Sequence, residues 1–345
     1  MQSVTLPEKP RVLIVRLSAI GDTVHSLPLA AALRRARPDA YLGWLVEKPA
    51  AALIEGNPLL DWVGVVPKGW LKKPAETLRL RRLLRGQAFT HVFDVQGLTK
   101  SAVAGRLSGA SVRIGFTRGE GRELAPFLDN VKIAPEGRHI IDKSLSLLRG
   151  AGIDNWGKAE FVLPECSPDD RSAIDAFISR EGLTDGFILL GPWGSFAAKL
   201  WPLERFLALS GILREKTGWR SVMLGHGEGE RSRVRELAAE SSGDLLMAPD
   251  VGLIGVAELA RRARMFAGCD SFPMHAASAV GCRTLGLFGV TDPGRLGPYG
   301  DFGAAVHARL TLPASTRERR LLGPENMDAL TVEAVAGACL ELLER

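Results

Sequence analysis

Strands alternating with helices along almost the whole chain predict an α/β fold of parallel, doubly wound sheets, built as two successive halves. Three observations carry this. Short apolar, β-branched runs recur, from Arg11-Val-Leu-Ile-Val-Arg-Leu17 to Thr284–Phe288, and segments with helical spacing of apolar residues separate them. The alternation lapses once, over Asn155 to Pro168, where Gly157, Pro164 and Pro168 mark a break, and then restarts. At 345 residues the chain is too long for one ordinary core and suits two domains. The expected division is residues 1–160, residues 161–330, and a closing amphipathic helix over residues 331–345.

In the first half, Arg11 to Leu17 reads as a buried strand, Ser18 to Asp22 as a turn, and Thr23 to Arg35 as a helix. Tyr41 to Val46, Trp62 to Val66 and His91 to Val95 are the next strands. A short helix over Ala50 to Ile54, a basic one over Lys72 to Leu84, and others over Ser101 to Leu107 and His139 to Ala151 fall between or after them. In the second half a helix over Pro168 to Glu181 precedes strands at Ile188–Leu190, Ser221–Leu224, Leu245–Met247, Met265–Ala267 and Thr284–Phe288. Helices over Glu204 to Lys216, Gly229 to Glu240 and Leu253 to Arg264 separate them.

The most informative stretch is Phe266-Ala-Gly-Cys-Asp270-Ser271-Phe-Pro-Met-His275. It reads as a buried strand passing directly into a helix, with Ser271 as N-cap and Pro273 in the first turn, where its missing N–H is harmless. Such a helix start presents free amides and a positive dipole end to a phosphate, with Asp270 before it and His275 one turn in. Ligands in doubly wound sheets lie beyond the carboxyl ends of the strands, so two facing sheets would place the site in a cleft between them.

Composition narrows the partners. Hydrophobic content of 46% and charged content of 24% are those of a soluble globular protein, and no run reaches the length of a membrane span. The polar stretch Met1–Pro10 lacks the apolar centre of a signal peptide. The net charge of +5 favours anionic partners, but 6% aromatic content with no basic-aromatic motif argues against nucleic acid. Four widely spaced cysteines suggest buried thiols in a reducing cytoplasm, and the histidines show no metal-ligand spacing, so no metal site is expected.

Several residues could carry chemistry. Asp22, after Gly21, reads either as a general base or as a helix cap. Lys199 closes the small-residue loop Gly191-Pro-Trp-Gly-Ser195-Phe-Ala-Ala-Lys199, which could cradle a diphosphate, or it is a solvated surface lysine; the order is not that of a P-loop. Glu228 and Glu230 in Gly225-His-Gly-Glu-Gly-Glu230 could accept from ribose hydroxyls or simply favour a helix start. From Lys68 to Arg85 seven basic residues, among them Lys68, Lys72 and Lys73, face one acid, Glu76. They form either a solvated helix face or a docking surface for an anionic acceptor or membrane, to which a mobile loop with Arg113, Arg118 and Arg122 could add.

Taken together, Arg11–Asp22 with His25-Ser-Leu-Pro28, Asp94-Val-Gln-Gly-Leu-Thr-Lys100, Lys199-Leu-Trp-Pro202, Asp270-Ser271 with His275, and Gly289-Val-Thr-Asp-Pro-Gly294 resemble the lipopolysaccharide heptosyltransferases of glycosyltransferase family 9, most closely its heptosyltransferase I branch. The resemblance implies a GT-B fold of two Rossmann-like domains facing a central cleft. The first would bind the acceptor and the second the nucleotide sugar, with the last helix packing back across the cleft. It implies inverting transfer of heptose from ADP-heptose to Kdo of lipid A, without a metal or other cofactor. The enzyme would be cytoplasmic and in peripheral contact with the inner membrane. Asp22 matches the base and Lys199 the lysine near the diphosphate. Ser195, Glu228, Val251, Asp270, Ser271 and His275 match donor-binding positions, and Lys68, Lys72, Lys73 and Arg122 lie where the family faces its anionic acceptor. The family commonly has glycine after Asp-Thr/Ser, where this chain has Phe272. Alternatives are a heptosyltransferase II-like or other family 9 enzyme with a different donor, another GT-B enzyme such as an epimerase, or a non-catalytic nucleotide-binding protein.

Overall fold

The computed structural model describes residues 4–308 and 316–345, which divide into two compact units, residues 1–165 and 166–345. The first unit holds β1 (Arg11–Val15), α1 (Ile20–Ala36), β2 (Tyr41–Glu47), β3 (Trp62–Val66), α2 (Pro74–Gly86), β4 (His91–Asp94), α3 (Thr99–Ser108), β5 (Val112–Phe116), α4 (Ala125–Leu128), β6 (Val131–Ile133) and α5 (Ile140–Ser146). Its six strands pair in the order β3-β2-β1-β4-β5-β6, all parallel. The central strand β1 is an unbroken apolar run because both of its faces are covered, and Val12 to Val15 are fully buried. Leu80 and Leu84 of α2, one turn apart, pack with Leu13, Val15 and Val92, leaving the arginines of that helix in solvent.

The second unit holds α6 (Pro168–Arg180), β7 (Ile188–Gly191), α7 (Leu203–Thr217), β8 (Ser221–Met223), α8 (Gly227–Glu240), β9 (Leu245–Met247), α9 (Leu253–Arg262), β10 (Met265–Cys269), α10 (Phe272–Ala279), β11 (Thr284–Phe288), α11 (Pro293–Leu296), β12 (Gly303–His307), α12 (Thr316–Arg319) and α13 (Val332–Glu344). Its sheet runs β12-β11-β10-β7-β8-β9, again all parallel. Counted from each unit's first strand, the two sheets have the same order, and in each the direction of winding reverses between the first and fourth strands. That reversal opens a ligand crevice at the carboxyl ends of β1 and β4 in one unit and of β7 and β10 in the other.

The closing helix α13 has Thr331 as its N-cap, the hydroxyl accepting the Ala334 N–H at 3.2 Å. It buries Val335, Ala336, Cys339 and Leu342 in the core of the second unit with Trp201 and Phe206. Three strands escape the sequence reading. β5 falls at the start of the stretch read as a basic loop, β6 lies where the sequence suggests no element, and β12 is a partly exposed edge strand. Arg113 is accordingly no part of a mobile basic loop. It lies in β5, buried, donating to the carbonyls of Leu128 and Ala110 at 3.0 and 2.8 Å.

Candidate active site

In the second unit the crevice is built on two glycines. Gly191 and Gly268 pair in register at the ends of β7 and β10, and a Cβ on Gly268 would lie 2.4 Å from the Gly191 carbonyl oxygen. This close approach brings the segments that follow each strand together. After β7 the chain makes a single 3-10 turn, Ala197–Lys199, which aims the Lys199 ammonium at the residue after β10. Lys199 Nζ donates to Asp270 Oδ2 at 2.6 Å and to the Asp270 carbonyl at 3.3 Å, and lies 5.2 Å from the centre of the Phe196 ring. Lys199 is thus no free surface lysine.

Asp270 is only 2% exposed. The Thr291 hydroxyl donates to Oδ2 at 2.7 Å, and His275 Nε2 lies 3.4 Å from Oδ1. Burial works against ionisation, but the hydrogen bond from His275 and the charge of Lys199 outweigh it and hold the carboxyl well below the usual carboxylate range. Thr291 was absent from the sequence reading as an individual residue; the only signal was its place in the Gly289–Gly294 segment.

Ser271 is the N-cap of α10 with an extended backbone, and Pro273 falls in the first turn, as the sequence predicts. Its hydroxyl makes no cap bond. Ser271 Oγ is buried with no partner among the described residues, beside the free amides of the helix start. An unpaired buried hydroxyl is costly unless a ligand completes it. Phe272 opens the helix without the positive φ that favours glycine, so the backbone path itself does not require the family's residue there.

The other residues expected around the donor are more open. Ser195 is exposed in the loop between β7 and Lys199. Glu228 stands in the first turn of α8, exposed and paired with Arg235, while Glu230 accepts the His226 N–H at 2.8 Å and so closes that helix start. Val251 lies between β9 and α9, half-buried against the core. No group of three or more His, Cys, Asp or Glu side chains among the described residues has the arrangement of a metal site. All four cysteines are buried, and burial pushes the Cys269 thiol up to about 12.

In the first unit the crevice lies at the ends of β1 and β4. Asp22 sits in the first turn of α1, which begins at Ile20, and not in the turn before the helix as the sequence suggested. Its Oδ2 accepts the Ala19 N–H at 3.2 Å and lies 2.7 Å from Arg16 Nη2. The cap and the candidate base are therefore the same side chain. Nearby, Lys100 Nζ donates to Glu47 Oε1 at 2.7 Å and to Ser18 Oγ at 2.8 Å, and Gln96 Oε1 accepts the Leu17 N–H at 2.9 Å. Asp94, fully buried at the end of β4, shapes this loop by accepting the Gly97 and Gln96 N–H groups at 2.9 and 3.2 Å.

Asp94 also faces Asp129, 35 residues on and equally buried. Asp94 Oδ2 and both Asp129 oxygens find no donor among the described residues. Burial and the closeness of two like charges favour the protonated form here. Burial, reinforced by the neighbouring Asp94, drives Asp129 far above the usual carboxylate range, and burial drives Asp94 the same way. Sequence reading noted Asp94 and Lys100 only as part of a motif and missed Asp129, which no local pattern marks.

Lys68, Lys72 and Lys73 are exposed around the 3-10 turn Trp70–Lys72 that precedes α2, so the basic helix begins two residues later than expected. Arg122 is exposed too, its N–H donating to the Gly97 carbonyl at 2.9 Å and tying its loop to the one shaped by Asp94. Beside it, Leu124 and Phe127 are exposed, with the Arg118 guanidinium over the Phe127 ring at 4.7 Å.

The model of glycosyltransferase family 9 (heptosyltransferase) matches residues 77–322. Lipopolysaccharide heptosyltransferase 1 of Pseudomonas aeruginosa is 30% identical over 305 residues, covering 84% of this chain and 81% of its own. The Escherichia coli K12 protein of the same name is 28% identical over 306 residues, covering 84% and 91%. Among solved structures, E. coli heptosyltransferase WaaC with ADP is similar at a TM-score of 0.76 and 25% identity, over 96% of this chain and 99% of that one. A family 9 glycosyltransferase from Veillonella parvula is similar in fold at a TM-score of 0.79 and 20% identity, over 98% and 99%.

Proposed function

This chain belongs to glycosyltransferase family 9, the heptosyltransferases, with the GT-B fold of that family, and we propose that it moves L-glycero-D-manno-heptose from ADP-heptose to Kdo of lipid A with inversion at the anomeric carbon. The observation that carries the donor half is the cluster at the end of β10. There a buried Asp270 fixes Lys199, and α10 opens with an unpaired hydroxyl on Ser271. A diphosphate is the group that fits free helix amides, a hydroxyl donor and an ammonium together. WaaC, the relative solved with ADP, supports adenosine as the nucleoside.

In this mechanism Asp22 takes the proton of a Kdo hydroxyl as its oxygen attacks the anomeric carbon from the face opposite ADP. Positive charge spreads over the ring oxygen and anomeric carbon while the departing diphosphate gains negative charge. Lys199 and the start of α10 receive that charge, already oriented by Asp270, so little reorganisation accompanies the reaction. Ser195, Ser271 and His275 complete the diphosphate side, Glu228 reaches the ribose and Val251 the adenine. Lys68, Lys72, Lys73 and Arg122 meet the acidic acceptor. The exposed leucines and arginines of α2 (Leu78, Leu83, Arg79, Arg82) suit peripheral contact with the cytoplasmic face of an anionic inner membrane. No helix among the described residues is long and apolar enough to cross a membrane.

The test is transfer by the purified protein from ADP-heptose to Kdo-lipid A in the presence of a chelator, with the anomeric configuration of the product read by NMR. Product of inverted configuration is expected; retention, or a need for a divalent ion, contradicts the mechanism. Phe272 favours one second reading, a family 9 transferase for another nucleotide sugar, because it puts a Cβ and a ring at a position where the family commonly has glycine. Turnover of a different donor in the same assay would establish it.

A further inference from the structure

Arg16, immediately after β1, is a charged side chain in an unusual place: it is 7% exposed. Its Nη1 donates to the Val95 carbonyl at 3.1 Å, its backbone N–H to the Leu45 carbonyl at 3.3 Å, and its own carbonyl accepts Trp44 Nε1 at 3.3 Å. Neighbouring chain on both sides of β1 thus fixes the residue and the direction of its guanidinium. A desolvated guanidinium is stabilised by a carboxylate, and two stand near it: Asp22, and Asp94, whose ionised form the charge of Arg16 favours. Lys100, which reaches Ser18 beside this group, is paired with Glu47. Among the described residues the one ion pair of Arg16 is with Asp22, at 2.7 Å.

Both contacts that Asp22 makes through its carboxylate fall on the same oxygen, Oδ2. Its side chain remains 37% exposed, and Oδ1 has no partner among the described residues. We infer that Arg16 is the positioning residue of the transfer reaction: it clamps Asp22 through Oδ2 and so presents Oδ1 as the oxygen that takes the proton of the acceptor. The inference rests on Asp22 being the base. An Arg fits this task better than a Lys because one nitrogen of its planar fork can hold Val95 while another holds Asp22. A carboxylate freed from its clamp still carries its charge, but samples orientations in which neither oxygen meets the hydroxyl. Misplacement of a catalytic group by about 1 Å costs on the order of 10²-fold in rate.

The experiment is a double-mutant cycle on turnover, with Arg16→Gln, Arg16→Lys, Asp22→Asn and the double variant Arg16→Gln/Asp22→Asn. The inference predicts that Arg16→Gln lowers kcat by about 10–100-fold with the KM for ADP-heptose unchanged. Arg16→Lys, which keeps the charge and loses the fork, should fall between it and the parent. In the Asp22→Asn background Arg16→Gln should cost nothing further, since there is no base left to aim. A loss that persists undiminished in that background, or a normal kcat in Arg16→Gln, overturns the role of Arg16 while leaving Asp22 as the base. Full turnover by Asp22→Asn alone overturns the base assignment, and the positioning role falls with it.

Discussion

Two ion pairs of nearly equal length sit at the switch points of the two sheets, Arg16–Asp22 at 2.7 Å and Lys199–Asp270 at 2.6 Å. They differ in burial: the Asp22 side chain is 37% exposed and that of Asp270 is 2%. Asp270 is engaged by Lys199, His275 and Thr291 together, and its ionised form is strongly favoured. A carboxylate so held is a poor proton acceptor and a good fixed anchor. Asp22 is held at one oxygen and open at the other, which suits it to accept a proton. Near-identical geometry thus supports two roles, and solvent access together with the number of partners separates them.

The contrast breaks most visibly at Asp22. Asp22→Ala should lower turnover by about 10²–10⁴-fold, the usual range for a general base, with ADP affinity unchanged in calorimetry. Its melting temperature should fall less than that of Asp270→Ala, because the Asp22 side chain is part-exposed and the buried Arg16 keeps its bond to the Val95 carbonyl and the nearby Asp94. Asp270→Ala should behave in the opposite way. Removing one partner of a buried pair leaves Lys199 uncompensated and destabilises by about 3–5 kcal/mol, and ADP binding should fall with the loss of the fixed ammonium. Thermal unfolding of both variants side by side measures this; a larger loss of stability in Asp22→Ala than in Asp270→Ala contradicts the assignment.

Stability should also respond to pH in opposite senses at the two places. Asp270 has its folded pKa depressed, so its contribution is complete above the ordinary carboxylate range and is lost as pH falls below it. The Asp94–Asp129 pair has raised values. Its contribution is complete below the unfolded value near 3.8 and is lost as pH rises toward the folded value of Asp129, about 8. Asp129→Asn keeps a hydrogen-bond donor for Asp94 without a titrating proton. It should flatten the decline of denaturant stability between pH 4 and pH 8, by up to about 1.4 kcal/mol per pH unit. An unchanged slope would show that the pair does not hold a proton. The smallest effect is expected at the surface. Lys72→Ala/Lys73→Ala should raise the acceptor KM a few-fold, more at low than at high ionic strength, and leave the donor KM alone.

Much of this was legible from the residues, for identifiable reasons. Buried parallel strands such as Val12–Val15 and Leu285–Phe288 are continuous apolar runs and announce themselves. β5 does not, because Arg113 and Gly115 interrupt it, and Arg113 is buried only by virtue of carbonyls that the fold supplies. β6 has three residues with the middle one exposed, and β12 has no fully buried position, so neither carries a periodic signal. Asp270, Ser271 and His275 could be placed from the strand-to-helix junction they occupy. The partnership of Lys199 with Asp270 spans 71 residues and depends on β7 and β10 being neighbours, a matter of strand order that no local pattern states. Arg16 read as the tail of an apolar strand, and its role emerged only once Asp22 proved to lie in the helix and within reach.

The central claim is that the start of α10, with Lys199 fixed by Asp270, is a site for an adenosine diphosphate. Calorimetric titration of the purified protein with ADP, UDP, GDP and dTDP, repeated on Lys199→Ala, tests it most directly. The account predicts a clear preference for ADP that Lys199→Ala largely abolishes. Preference for another base would contradict the donor assignment. Failure to bind any of the four would contradict the reading of this cluster as a diphosphate site.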